Sequence, residues 1–286
     1  MILSAASSET SGLVLAAASV LAAITYAVAA ITAGIASKTD PQRPRMQGAL
    51  LLAWALHLIA LVVDIAGIGA ATVGARFGFA PALSMTVWLV LAVYMVESRF
   101  VPLPSARQVL AGLAVLAVLM ALAFPGESRP TASPWAPLHW VLGLASYGLF
   151  GVAVLHAALL NRAERQMRRI QIGPSAGGAA RPMTGMPLLR LERLTFQFVA
   201  AGVVVLSLAI GLGWWFTPAW HWDHKNLLAV LGWLVLTGLL TGRRVFGWRG
   251  RRATRWLYFG AVLLLLSYAG SRFVLEVVLQ RSVASS

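Results

Sequence analysis

The sequence has no cysteine. That excludes disulfides, thiol redox chemistry, cysteine-held iron–sulfur clusters and thioether attachment of haem to this chain. Charge is also scarce: 11% of the 286 residues are Asp, Glu, Lys or Arg, where soluble domains carry about 25%. Acidic residues are the scarcest part, with 9 Asp and Glu against 23 Lys and Arg. No nucleophile stands at credible spacing from a base, and neither HExxH nor GxSxG occurs. The chain is therefore not read as an enzyme. "GLGWWF" (Gly211 to Phe216) lacks the lysine and the strand-to-helix setting of a phosphate-cradling loop. Internal repeats and the paired broken helices of a transporter are not evident either.

What the chain has in abundance is apolar sequence. It is 59% hydrophobic, with a mean hydropathy of +0.79. A bilayer-spanning helix needs roughly 20 apolar residues, and about eight runs meet that criterion. They are Leu13 to Ile35, Gln47 to Ala70, Phe79 to Ser98, Gln108 to Phe124, Leu138 to Leu160, Leu194 to Phe216, Lys225 to Gly242 and Trp256 to Leu279. The first lacks the basic leader of a signal peptide, since Met1 to Gly12 holds only Glu9. The expected fold is an all-α polytopic membrane bundle over residues 1–286, one integral-membrane domain. Residues 161–193, with "GPSAGGAARPMTG", read as a flexible linker between five spans and three.

The net charge of +14 would suggest nucleic acid in a soluble protein, but its distribution argues for membrane topology. Alternate connectors hold Lys38, Arg43 and Arg45; Arg99 and Arg107; Arg162, Arg165, Arg168, Arg169, Arg181, Arg190 and Arg193; and Arg243, Arg244, Arg249, Arg251, Arg252 and Arg255. The intervening connectors hold only Arg76, Arg129 and Lys225. Positive charge marks the cytoplasmic side. Both termini are thus expected outside, in the periplasm or its equivalent, in a multi-pass membrane protein whose arginines meet lipid rather than nucleic acid.

Ionisable groups at bilayer depth are costly and are functional candidates. His57 lies mid-span, with Asp64 two turns on along the same face. It is either an interhelical hydrogen-bond partner or an axial ligand to haem or another metal. His139 opens the fifth span, with Gly143, Ser146 and Tyr147 on its face. His156, further along that helix, faces no obvious partner and reads as structural. Arg272 and Glu276 stand four apart and can pair; Arg272 is alternatively a contact for an anionic group.

The stretch "WHWDHKN", Trp220 to Asn226, lies in a connector expected outside. Its bland reading is an interfacial tryptophan belt, with Asp223 capping the next helix. Its chemical reading is a platform where Trp220 and Trp222 stack on a haem and His221 or His224 reaches the iron.

Four segments carry a resemblance: "HLIALVVDIAG", "LHWVLGLASYGLF", "WHWDHKN" and "WLVLTGLLTGRRVFGWRGRRATRW". Together they resemble the cytochrome c assembly membrane protein family, in its CcsA- and HemX-like members. With the ending "SYAGSRFVLEV", the strongest likeness is to the YpjD-type inner-membrane proteins. The resemblance implies a haem-handling protein that assists cytochrome c assembly alongside other maturation proteins, with non-covalent haem b. It implies His57 as a membrane histidine and His139 as an outer one. His224, with His221 as substitute, completes an outer pair. Trp220, Trp222 and Asp223 belong to the tryptophan-rich signature, and Arg272 suits a propionate. The family's second membrane histidine falls near Thr241 and its second outer one near Leu279 or Gln280. In the signature itself, His224 replaces a proline and Asn226 a glutamate. A haem-free accessory protein of the same fold is the alternative. Oligomeric state is not legible.

Overall fold

The computed structural model describes residues 2–35, 43–67, 75–98, 104–129, 133–172, 188–217 and 222–278. The apolar runs form helices, because a chain in hydrocarbon must satisfy its backbone groups internally. In order these are α1 (Ile2–Ile35), α2 (Arg43–Ile65), α3 (Phe79–Glu97), α4 (Pro104–Ala123), α5 (Ala136–Ile172), α6 (Leu188–Phe216), α7 (His224–Phe246) and α8 (Gly250–Leu265). The last span continues past α8 through a π-helical turn, Leu266–Gly270, a short α segment, Ser271–Phe273, and a second π turn, Val274–Val278. Among the described residues, eight helices are long and apolar enough to cross a membrane.

Two features depart from the sequence expectation. A two-stranded antiparallel ribbon joins the α2–α3 and α4–α5 connectors: β1 (Ala75–Phe77) pairs with β2 (Glu127–Arg129). Second, helix occupies residues 161–172 and 188–193, both read as linker. The rest of that linker lies outside the described residues.

The core has two large clusters and a small third one, Phe79, Ala80 and Ala269, that ties α3 to the last span. Tyr26, Ala53, Leu91, Ala111 and Ala114 centre the first, among α1–α4. Phe150, Val199, Leu236, Leu239 and Leu257 centre the second, among α5–α8. Helix α5 serves both clusters, since its Val152 packs in the first and its Phe150 in the second. Small residues let α1 and α4 approach closely: Ala22, Ala111 and Ala114 are wholly buried. In the second half, α7 and α8 interlock reciprocally. A Cβ on Gly232 would lie 2.8 Å from Leu264, and one on Gly260 2.7 Å from Leu236.

Tryptophans fix α2 against α3. Trp54 and Trp88 stack at 4.5 Å with planes 14° apart. Each indole N–H donates to the other residue's carbonyl, Trp54 to Trp88 at 3.2 Å and Trp88 to Trp54 at 3.1 Å. At the opposite turn of the chain, α7 ends in a left-handed glycine, Gly247 (φ 63°), and the Trp248 N–H returns to the Gly242 carbonyl. A left-handed glycine thus ends the helix, the backbone conformation that glycine adopts without a Cβ penalty.

Candidate functional site

His57 is 1% exposed. Its Nδ1 meets the Tyr26 hydroxyl at 3.3 Å and its Nε2 meets Ser84 Oγ at 2.7 Å. Tyr26 comes from α1 and Ser84 from α3, so the imidazole pins three helices together. The cavity beside it, lined by Ser19, Asp64, Ser84 and Leu122 among others, has room for about one water. Asp64 shares this cavity, as the two-turn spacing suggested. It faces Arg76 of β1 at 3.6 Å, and Arg76 Nε donates to the Gly126 carbonyl at 2.7 Å. A macrocycle does not fit here, and neither ring nitrogen is left over for iron. The residues around His57 match the interhelical-contact reading.

His139 is built differently. It stands in the first turn of α5, and its Nδ1 lies 2.8 Å from the Ala209 carbonyl of α6. A carbonyl only accepts, so Nδ1 carries the proton and Nε2 keeps its lone pair. Histidines that ligate metals commonly hold the other ring nitrogen this way. Gly213 of α6 makes room for the ring, since a Cβ there would lie 2.9 Å from His139 Cε1. Phe216 meets the ring edge-on at 5.7 Å. No protein group among the described residues hydrogen-bonds Nε2.

Indoles gather at this end of the bundle. Trp135, before α5, stacks near-parallel with Trp215 at 6.4 Å. Trp214, Trp215 and Trp222 are 68%, 81% and 69% exposed. Trp220 and His221 lie outside the described residues. Asp223 caps α7, its carboxylate accepting the Asn226 N–H at 2.7 Å, which matches the capping reading. His224 follows as the exposed first residue of α7.

The last span joins this region. Ser267 Oγ donates to the Lys225 carbonyl at 2.9 Å, and Tyr147 donates to the Leu264 carbonyl at 2.6 Å. Leu264 lies just before the first π turn, and such turns often mark functional positions. Lys225 and Arg272 both approach the Tyr268 ring, each 6.0 Å from its centroid, and the Lys225 charge also acts on His139. His139, Lys225, Tyr268 and Arg272 thus converge on one end of the second half-bundle. Arg272 is buried; the Glu276 side chain lies outside the described residues. Nothing in the sequence marks Lys225 and Tyr268 as neighbours, because only the fold brings α7 against the last span.

The remaining positions are structural. His156 does have a partner: Nε2 meets Glu97 Oε2 of α3 at 2.8 Å. Thr241, where the family has a second membrane histidine, bonds its own helix through the Thr237 carbonyl. Leu279 and Gln280 lie outside the described residues. No cluster of three or more His, Cys, Asp or Glu side chains occurs among the described residues.

The spans and this histidine- and tryptophan-bearing end define a polytopic helical membrane protein. Residues 15–279 match the cytochrome C assembly protein family, and the chain belongs to that family. It is similar to the inner membrane protein YpjD of Escherichia coli (strain K12), with 31% identity over 58% of this chain and 62% of that relative. The match thus spans less than two thirds of that relative's length. It is also similar to the cytochrome c biogenesis protein CcsA of Prochlorococcus marinus, with 21% identity over 67% of this chain and 70% of the relative. An uncharacterized 28.8 kDa protein of Azospirillum brasilense is 32% identical over 51% of this chain and 53% of its own length. No solved structure matches significantly. With its eight apolar helices and this kinship, the chain is a multi-pass inner-membrane protein.

Proposed function

We propose that this protein assists cytochrome c assembly by holding one haem b, non-covalently, at the periplasmic ends of α5–α8. Both termini lie on that side, as the alternation of arginines along the connectors supports. Haem, when bound, would supply an iron that imidazole nitrogen can ligate. His139 provides Nε2, and His224, with His221 as substitute, provides the second nitrogen. Trp222 and Trp220 offer indole faces, Asp223 orders the start of α7, and Arg272 with Lys225 offers positive charge to carboxylates. The role is carriage and presentation to maturation partners rather than catalysis. The observation that carries this reading is the bond between His139 Nδ1 and the Ala209 carbonyl, which leaves Nε2 as the ligand.

The test is the visible spectrum of detergent-purified protein, air-oxidised and then dithionite-reduced, with His139→Ala, His224→Ala and His57→Ala beside it. A near-stoichiometric Soret band that shifts on reduction and is lost in His139→Ala supports the proposal. A colourless protein from haem-supplemented cells overturns it. A specific observation favours the second reading, a haem-free accessory of the same fold: both ring nitrogens of His57 are engaged by Tyr26 and Ser84, and Thr241 bonds its own helix.

A further inference from the structure

We infer that the α7–α8 hairpin is a binding site for an anionic phospholipid, with an arginine crown for the headgroup and an aromatic ladder for an acyl chain. Six arginines fall within residues 243–255. Arg243 is neutralised by Glu192 at 3.2 Å and lies against the Phe196 ring at 3.7 Å. Arg244, Arg249, Arg251, Arg252 and Arg255 are exposed and make no ion pair among the described residues. One carboxylate approaches the turn: Glu164 Oε1 lies 4.0 Å from where a Gly250 Cβ would stand. The turn therefore carries a large uncompensated positive charge.

Two left-handed glycines, Gly247 (φ 63°) and Gly250 (φ 59°), bend the chain tightly around Trp248. Trp248 packs on Gly242, where a Cβ would come within 2.6 Å of its ring. Arg252 lies over the same indole, Cζ 4.4 Å from the centroid, which holds the guanidinium at a fixed depth. From this point aromatic rings descend along the lipid-facing side. Trp248 stacks near-parallel with Phe246 at 6.2 Å and with Trp256 at 6.4 Å, and Trp256 meets Phe259 edge-on at 6.1 Å. Phe246, Trp256, Phe259 and Val262 are all exposed.

A soluble phosphate or a nucleic acid has no use for the apolar ladder, and a neutral lipid has no use for the crown. An anionic phospholipid uses both, placing phosphate among Arg249, Arg252 and Arg255 and a chain along Trp256 and Phe259. The bound lipid would fix the tilt of α7 against α8; His224 opens α7 at its far end, and Arg272 lies on the continuation of the last span beyond α8. The inference does not depend on haem binding.

The experiment uses full-length, delipidated protein in neutral detergent. Native mass spectrometry and thermal melting are recorded with phosphatidylglycerol, phosphatidylcholine or inorganic phosphate added. Phosphatidylglycerol is expected to be retained and to raise the melting temperature, whereas phosphatidylcholine and inorganic phosphate do neither. The Arg249→Gln/Arg252→Gln/Arg255→Gln triple variant should weaken phosphatidylglycerol binding on the order of 100-fold, as the loss of three interfacial charges implies. Arg190→Gln/Arg193→Gln, which removes charge from another helix end, should leave it unchanged. Equal binding of phosphatidylcholine, full competition by inorganic phosphate, or equal losses in the two charge variants would each overturn the site.

Discussion

The two halves of this bundle treat a histidine in opposite ways. Among α1–α4, His57 is enclosed, with Tyr26 on one ring nitrogen and Ser84 on the other. Among α5–α8, His139 spends one nitrogen on the Ala209 carbonyl and keeps the second available. One residue type is a rivet in the first half and a candidate ligand in the second. The difference lies in the neighbours. Two hydroxyls saturate an imidazole, whereas one carbonyl fixes its tautomer and leaves a lone pair. Resemblance alone treats both histidines as ligands; geometry separates them.

The comparison breaks most visibly at His139. His139→Ala should abolish the haem absorption of purified protein while far-UV circular dichroism stays unchanged; a retained full-strength band would move the ligand elsewhere. His57→Ala should do the reverse. It removes a buried side chain and strands Tyr26 and Ser84, so a loss of about 2–4 kcal/mol is expected, read by thermal or denaturant unfolding in detergent. Its haem band should stay at wild-type strength, and a lost band would give both halves the same role. Asp223→Ala and Tyr147→Phe give smaller effects. The first removes the cap of α7 and should cost about 1 kcal/mol, seen as faster amide exchange in the first turn of that helix. The second removes one hydrogen bond to the last span and should also cost about 1 kcal/mol by unfolding. Equal stability in the Phe variant would show that the Leu264 carbonyl finds another donor.

Much of the fold was legible because apolar runs are a local property of the chain. The α3 bounds, Phe79–Glu97, differ from the expected span by one residue. The extension of α5 to Ile172 was not legible, because polar helix beyond the hydrocarbon leaves no apolar signal. The ribbon escaped for a related reason, since strands of three residues are too short to show alternation. At the site, Asp223 was readable as a cap because its partner lies three residues away. His156 was not readable as a partner of Glu97, because the two stand 59 residues apart. The same holds for the partners of His57 and for the approach of Lys225 to Tyr268. Chain-distant pairings exist only once the helices are packed.

The paired indoles of α2 and α3 have a mechanical consequence. Each ring holds the other helix by its backbone, so sliding one helix past the other breaks both bonds and the stack together. There is no halfway position in which one bond survives to guide the other back. That makes α2 and α3 behave as a single stiff plate under shear. The last span is bonded differently: its widened turns at Leu266–Gly270 and Val274–Val278, beside Lys225 and Arg272, depart from the i→i+4 ladder that α2 and α3 keep.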